Sequence, residues 1–85
     1  MNVDKARLVS PDEMFGAAKR IMLDNREPES QEDWVLVVNF MACNIEKEAA
    51  LPAIKVFKMI YDIPLSDEYI VNIVDFQINL KSASN

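Results

Sequence analysis

Three times in this chain a serine leads a short acidic run into an apolar segment: Ser10-Pro11-Asp12-Glu13, Ser30-Gln31-Glu32-Asp33 and Ser66-Asp67-Glu68. Each has the chemistry of a helix start. The serine hydroxyl accepts a hydrogen bond from a first-turn amide that has no partner inside the helix, and the acids face the positive end of the helix dipole. The first start is the most complete. Glu13 is placed to reach back to the Ser10 amide, and Pro11 takes the first helical position, where an amide hydrogen is not needed. Val9 with Met14, and Leu65 with Ile70, are spaced to staple across their caps. The chain therefore reads as all-α, a small bundle of about four short helices forming one domain over residues 1–85.

The first helix is expected from Pro11 to about Asp24, with Met14, Ala17, Ala18, Ile21 and Met22 on one face and Lys19 and Arg20 on the other. Gly16 weakens it by about 1 kcal/mol relative to alanine. Asp24 to Glu29 is a polar connection punctuated by Pro28. In the second helix Trp34, Val38, Met41 and Ile45 recur at helical spacing, while Val35, Leu36, Val37, Phe40 and Cys43 broaden the apolar surface. The β-branched run Val35-Leu36-Val37-Val38 also suits a buried strand. The cap before it and Glu46-Lys47-Glu48-Ala49-Ala50 after it favour a helix.

Pro52 is disruptive inside a helix, so a break or fresh start is expected near residues 44–51 with Pro52 in a first turn. The third helix then runs to about Tyr61, burying Ile54, Phe57 and either Ile60 or Tyr61, with Lys55 and Lys58 outside. Asp62-Ile63-Pro64 ends it. The fourth runs from Asp67 to about Leu80, with Tyr69, Ile73, Phe76 and Leu80 as its main stripe and Ile70, Val74 and Ile78 widening it. Strict alternation from Asp75 to Lys81 supports a competing α+β arrangement with residues 74–81 extended, whose edge would suit pairing with a second copy. Residues 1–9 read as an N-terminal arm and 82–85 as a frayed tail. The similar starts at Ser10 and Ser66 share a capping solution and do not extend to an internal repeat.

The absence of histidine excludes most chemistry. It removes the commonest general base, the usual partner of a serine or cysteine nucleophile and the commonest metal ligand. Cys43, the single cysteine, cannot form an intrachain disulfide, and within an apolar helical stretch it is expected to be a buried, inert thiol. The acid pairs Asp12/Glu13, Glu32/Asp33 and Asp67/Glu68 sit in first turns, where the dipole accounts for them. A calcium loop counted from Asp24 would place Glu29 where glycine is required and Val35 where the closing glutamate belongs. One glycine in the chain leaves no phosphate-cradling loop. No enzyme, no metal site and no cofactor is expected.

Net charge is −5, from fourteen acids against nine bases. The cations are scattered, and Lys19-Arg20 and Lys55-x-x-Lys58 suit solvated helix faces better than a phosphate-binding patch. The polar start lacks the features of a signal peptide, and no apolar run approaches a membrane span. A cytosolic location without membrane insertion is expected.

What remains is apolar surface in excess. The second and fourth helices are apolar over more than the roughly 100° stripe of a peripheral helix. Either they lie at the centre of the bundle, or part of their surface docks a partner: a homodimer seam, or a groove for an amphipathic helix. Trp34, Phe40, Met41, Phe57, Met59 and Phe76 are the candidate contacts, since aromatics and methionine are enriched at interface centres. The expected function is that of a small regulatory or accessory protein (an inhibitor, antagonist or adaptor) of the kind phage and mobile elements encode. It would bind a protein target, including one that presents a cytosolic segment of a membrane protein. The alternative is a nucleic-acid-related regulator, either a weak DNA binder or an acidic DNA mimic.

Overall fold

The computed structural model describes residues 10–83, side chains at 47 and 81–83 excepted, and those residues form four helices with no strand. They are α1 (Pro11–Met22), α2 (Gln31–Asn44), α3 (Lys47–Tyr61) and α4 (Asp67–Ala83). The all-α expectation holds, and the extended alternative for 74–81 does not, because helical backbone runs straight through it. The run Val35–Val38 is helical too. Val9 and the expected arm at 1–9 lie outside the described residues. The helix reaches Ala83, so at least the first half of the expected frayed tail is ordered into α4.

All three serine caps form. The Glu13 amide donates to Ser10 Oγ at 3.1 Å while Glu13 accepts from the Ser10 amide at 3.4 Å, completing the capping box. Ser30 accepts from the Asp33 amide at 3.2 Å and Ser66 from the Tyr69 amide at 3.1 Å. Leu65 and Ile70, the expected staple across the last cap, are both buried.

Pro52 does not sit in a first turn. α3 starts at Lys47, with Glu46 as a cap that makes no side-chain bond, and Pro52 lies inside the helix. With no amide hydrogen it returns nothing to the Glu48 carbonyl, one turn earlier. Its ring points to solvent, and the helix holds because Ala50, Ile54 and Phe57 are pinned in the core. α3 ends at Asp62 in the left-handed conformation (φ 54°), with the Asp62 and Ile63 amides both donating to the Lys58 carbonyl. Aspartate tolerates this region better than most residues.

The core is built from Ala18, Leu23, Val37, Val38, Met41, Ala42, Ala50, Ile54, Phe57, Ile63, Leu65, Ile70, Ile73 and Val74. Full burial of a side chain such as Ile54, Ile70 or Met41 contributes roughly 1.5–3 kcal/mol. α2 is central, packing against α1, α3 and α4. α2 and α4 run parallel: Gln31 at the start of α2 donates to the Pro64 carbonyl just before α4, and Cys43 near its end donates to Gln77. An aromatic group centred on Phe15, which the sequence pattern alone does not place, ties α1 to this frame. Phe15 stacks on Trp34 with centroids 5.5 Å apart and packs on Tyr61 at 4.3 Å, while Lys19 caps its ring at 4.5 Å. The Tyr61 hydroxyl donates to Asp12 at 2.7 Å; desolvation, reinforced by the Asp12 carboxylate, pushes its pKa up to about 12.

Two acids hold the α1–α2 connection: Glu27 pairs with Lys19 of α1 at 2.8 Å, and Asp33 ties the connection to the start of α2. Asp33 accepts two hydrogen bonds from the Arg26 guanidinium at 2.7 and 2.9 Å and a third from the Glu29 amide at 2.8 Å. The arginine first, and the Glu29 amide second, hold its carboxyl well below the usual carboxylate range. The folded state therefore binds this proton less tightly than the unfolded chain, where aspartate titrates near about 3.9. The stabilisation is fully present above that value and is lost as pH falls through the lower folded one. Asp33→Asn should lower the melting temperature at neutral pH, and the difference from the parent should close as the solution is acidified below about pH 5. A thermal-melt series showing a constant difference into strong acid would rule out a contribution from the charge.

Candidate protein-interaction surface

The six residues singled out as candidate contacts separate into three groups. Met41 (0% exposed) and Phe57 (6%) belong to the core and offer a partner nothing. Trp34 and Phe40 are half-buried and pack against the core from its edge. Met59 (82%) and Phe76 (59%) stand out in solvent. The physical cause is helix geometry. At about 100° per residue, α3 turns Phe57 inward and Met59 almost opposite to it.

The expected main stripe of α4 is split: Ile73 is buried, but its other three members are not. Ile70, Ile73 and Val74 face the core, whereas Tyr69, Phe76 and Leu80 are exposed. Residues seven and eleven apart fall within roughly 20° of one line on a helix, so Tyr69, Phe76 and Leu80 form a straight ridge about 16 Å long. On α2, Leu36 and Cys43 are exposed and seven apart, and half-buried Phe40 lies between them. The α2–α4 seam brings these two sets together. Gln77 donates to Asn39 at 2.8 Å and accepts from the Cys43 thiol at 3.0 Å, while Asn39 donates to the Val35 carbonyl at 2.8 Å. With the helices parallel, the exposed residues of both fall on the same side of that seam. The result is one face: a polar, internally satisfied floor flanked by the α4 ridge and the α2 edge.

Cys43 is therefore not the buried thiol that its surroundings in the sequence suggest. It is exposed and free, because the apolar residues around it in sequence point to other sides of α2.

A second apolar face lies on α3. Ala49, Pro52, Val56, Met59 and Ile60 are all exposed and fall within a sector of about 100°. Of the two residues offered for burial at the end of this helix, Tyr61 is half-buried and Ile60 is outside. Because α3 turns Ala50, Ile54 and Phe57 to the core shared with α2 and α4, this face looks away from the α2–α4 face. An open cleft of about 440 Å³ adjoins it, lined by Lys55, Lys58, Met59, Asp62 and Asp67. Lys58 and Asp67 pair there at 3.0 Å, and Lys58 holds the Asp67 carboxyl below its ordinary value.

Among the described residues no cluster of three or more Cys, Asp or Glu side chains is arranged to hold a metal ion. No described helix is long and apolar enough to cross a membrane.

Core and surface roles separate in stability measurements. Phe57→Ala should cost about 3–5 kcal/mol and Met41→Ala about 2–5 kcal/mol in urea unfolding. Met59→Gln and Phe76→Gln should each stay within about 0.5 kcal/mol of the parent. A large loss at Phe76 would mean that the ridge supports the fold. Cys43 should react with a water-soluble disulfide reagent in the native protein without a change in helicity; a thiol that reacts only in denaturant would contradict its exposure.

No protein-family model, curated protein or solved structure matches the chain, so the chemistry of these surfaces carries the functional argument.

Proposed function

We propose that this chain is a small regulatory or accessory protein that acts by occupying a surface of another protein, as an inhibitor, antagonist or adaptor. The observation that carries the reading is the Tyr69–Phe76–Leu80 ridge. Large apolar side chains stand in line on the solvent side of a helix that already buries Ile70, Ile73 and Val74. Single exposed apolar residues are ordinary on a protein surface; contiguous apolar patches mark binding sites. Aromatic residues at the middle of a patch are also the residue types that dominate binding energy in interfaces. The reading needs no catalytic group. A free, exposed Cys43 fits a reducing compartment, which supports a cytosolic setting.

Phe76→Asp tests this directly. Affinity capture from the source organism with the parent chain should retain a saturable partner, identified by mass spectrometry, and the variant should hold it at least about tenfold more weakly. Circular dichroism should show the same helicity for both. Identical sets and amounts of captured protein for parent and variant would overturn the reading.

A further inference from the structure

We infer that the α2–α4 face receives a cationic amphipathic helix of a partner protein; the inference rests on the protein-binding reading above and names its occupant. Charge selects it. Within the described side chains, α2 and α4 carry no lysine or arginine and five carboxylates: Glu32, Asp33, Asp67, Glu68 and Asp75. Asp33 is neutralised by Arg26 and Asp67 by Lys58. Glu32, Glu68 and Asp75 are exposed on the two helices that build the face and form no ion pair among the described residues. Lys81 is the single cation in the sequence of either helix, near the end of α4. Parallel packing puts both partially positive N-terminal ends, beside the first-turn acids Glu32 and Glu68, at one end of the face and both partially negative C-terminal ends at the other. α2 has no basic residue in its last turn to offset this.

Shape selects a helix. The ridge of Tyr69, Phe76 and Leu80 runs about 16 Å, close to three helical turns, and faces the α2 edge of Leu36, Phe40 and Cys43 across the seam. That length and spacing suit a helix presenting apolar anchors at i, i+3 or i+4, and i+7. The polar floor asks little of the occupant, because Asn39, Gln77 and Cys43 already bond to one another and Asn39 also to the Val35 carbonyl. An apolar stripe laid along it has only the second amide hydrogens of Asn39 and Gln77 to leave to water or to a polar group of the occupant. Glu32 lies along the α2 edge. Glu68 and Asp75 lie on the outer flank of α4, roughly 100–120° around the helix from the ridge, where long lysine or arginine side chains reaching over the ridge would meet them.

The same charges argue against the other occupants. A second copy docking face to face would bring together two surfaces of the same sign, with no described lysine or arginine on either helix to offset them. Nucleic acid and anionic lipid would be repelled in the same way.

The test uses three dye-labelled synthetic peptides of about 18 residues, titrated into the full chain by fluorescence anisotropy. One has leucines and lysines in an amphipathic helical pattern, one replaces the lysines by glutamates, and one scrambles the leucine–lysine order so that no apolar face forms. The patterned lysine peptide should bind at least about tenfold tighter than either control, and more weakly as salt rises. Amide NMR shifts should centre on Leu36, Cys43, Tyr69, Phe76 and Leu80. Phe76→Ser should weaken binding about tenfold, and Glu68→Gln with Asp75→Asn should flatten the salt dependence. Equal affinity for the glutamate peptide, or shifts centred on α3, would overturn the cationic-helix occupant. So would self-association in sedimentation that Phe76→Ser abolishes, by showing that a second copy covers the face. Each of these outcomes leaves a protein-binding surface standing. Failure of all three peptides, a monomer at all concentrations and unchanged capture by Phe76→Asp would remove the surface as well.

Discussion

Everything in this fold depends on α2 being enclosed from three directions. A helix that packs on α1, α3 and α4 at once must be apolar over most of its circumference, and the run Trp34 to Val38 with Met41 and Ala42 supplies that. The β-branched residues in the run are indifferent helix formers, each weaker than alanine by roughly half a kcal/mol. Complete burial of Val37 and Val38 outweighs this several-fold. The N-terminal end is then set by Ser30 and Asp33 together. Ser30 caps the helix, and Asp33 reaches back to fix Arg26 and Glu29, so the connection from α1 enters at a defined angle. Only one edge of α2, from Leu36 to Cys43, is left to solvent.

Helix starts were legible in the sequence because capping is local. Ser10, Ser30 and Ser66 each bond an amide three residues ahead, and nothing distant alters that geometry. The strand-like alternation from Asp75 to Lys81 was outvoted by the Ser66 cap and by the burial of Ile70, Ile73 and Val74 on one helical side. What could not be read locally was the choice between two apolar stripes on one helix. α4 has both Tyr69-Ile73-Phe76-Leu80 and Ile70-Val74-Ile78, and periodicity assigns neither to the core. Packing against α2 and α3 draws the line between them: Ile70, Ile73 and Val74 are buried, and Tyr69, Phe76 and Leu80 are left outside.

The same limit explains the other departures. Cys43 inherits an apolar neighbourhood in sequence yet falls on the one open edge of α2. Pro52 is tolerated inside α3 because three buried side chains on the opposite wall hold the helix against the lost hydrogen bond. Among the candidate contacts, Phe57 and Met59 are two positions apart, and that interval is the difference between core and solvent. Arg26 gave no signal in sequence, since its partner lies seven residues away across a proline-containing connection.

A chain this short has one core, and half its residues are apolar, so some apolar surface must end outside. Where it ends is not arbitrary. Apart from Ile21 on α1, the large apolar side chains exposed among the described residues gather on two faces that look in different directions. On α4 the outer flank of the ridge carries Glu68 and Asp75, which pair with no described lysine or arginine. Those carboxylates act twice. In the free protein they oppose the pairing of two such ridges, and with a net charge of −5 they work against aggregation. Against a partner they become a filter: an apolar stripe bordered by anions loses its desolvation cost and its repulsion only when the incoming surface carries cations at its margins. On the proposed reading, the charge that opposes pairing of two such ridges is also the charge that would select the partner.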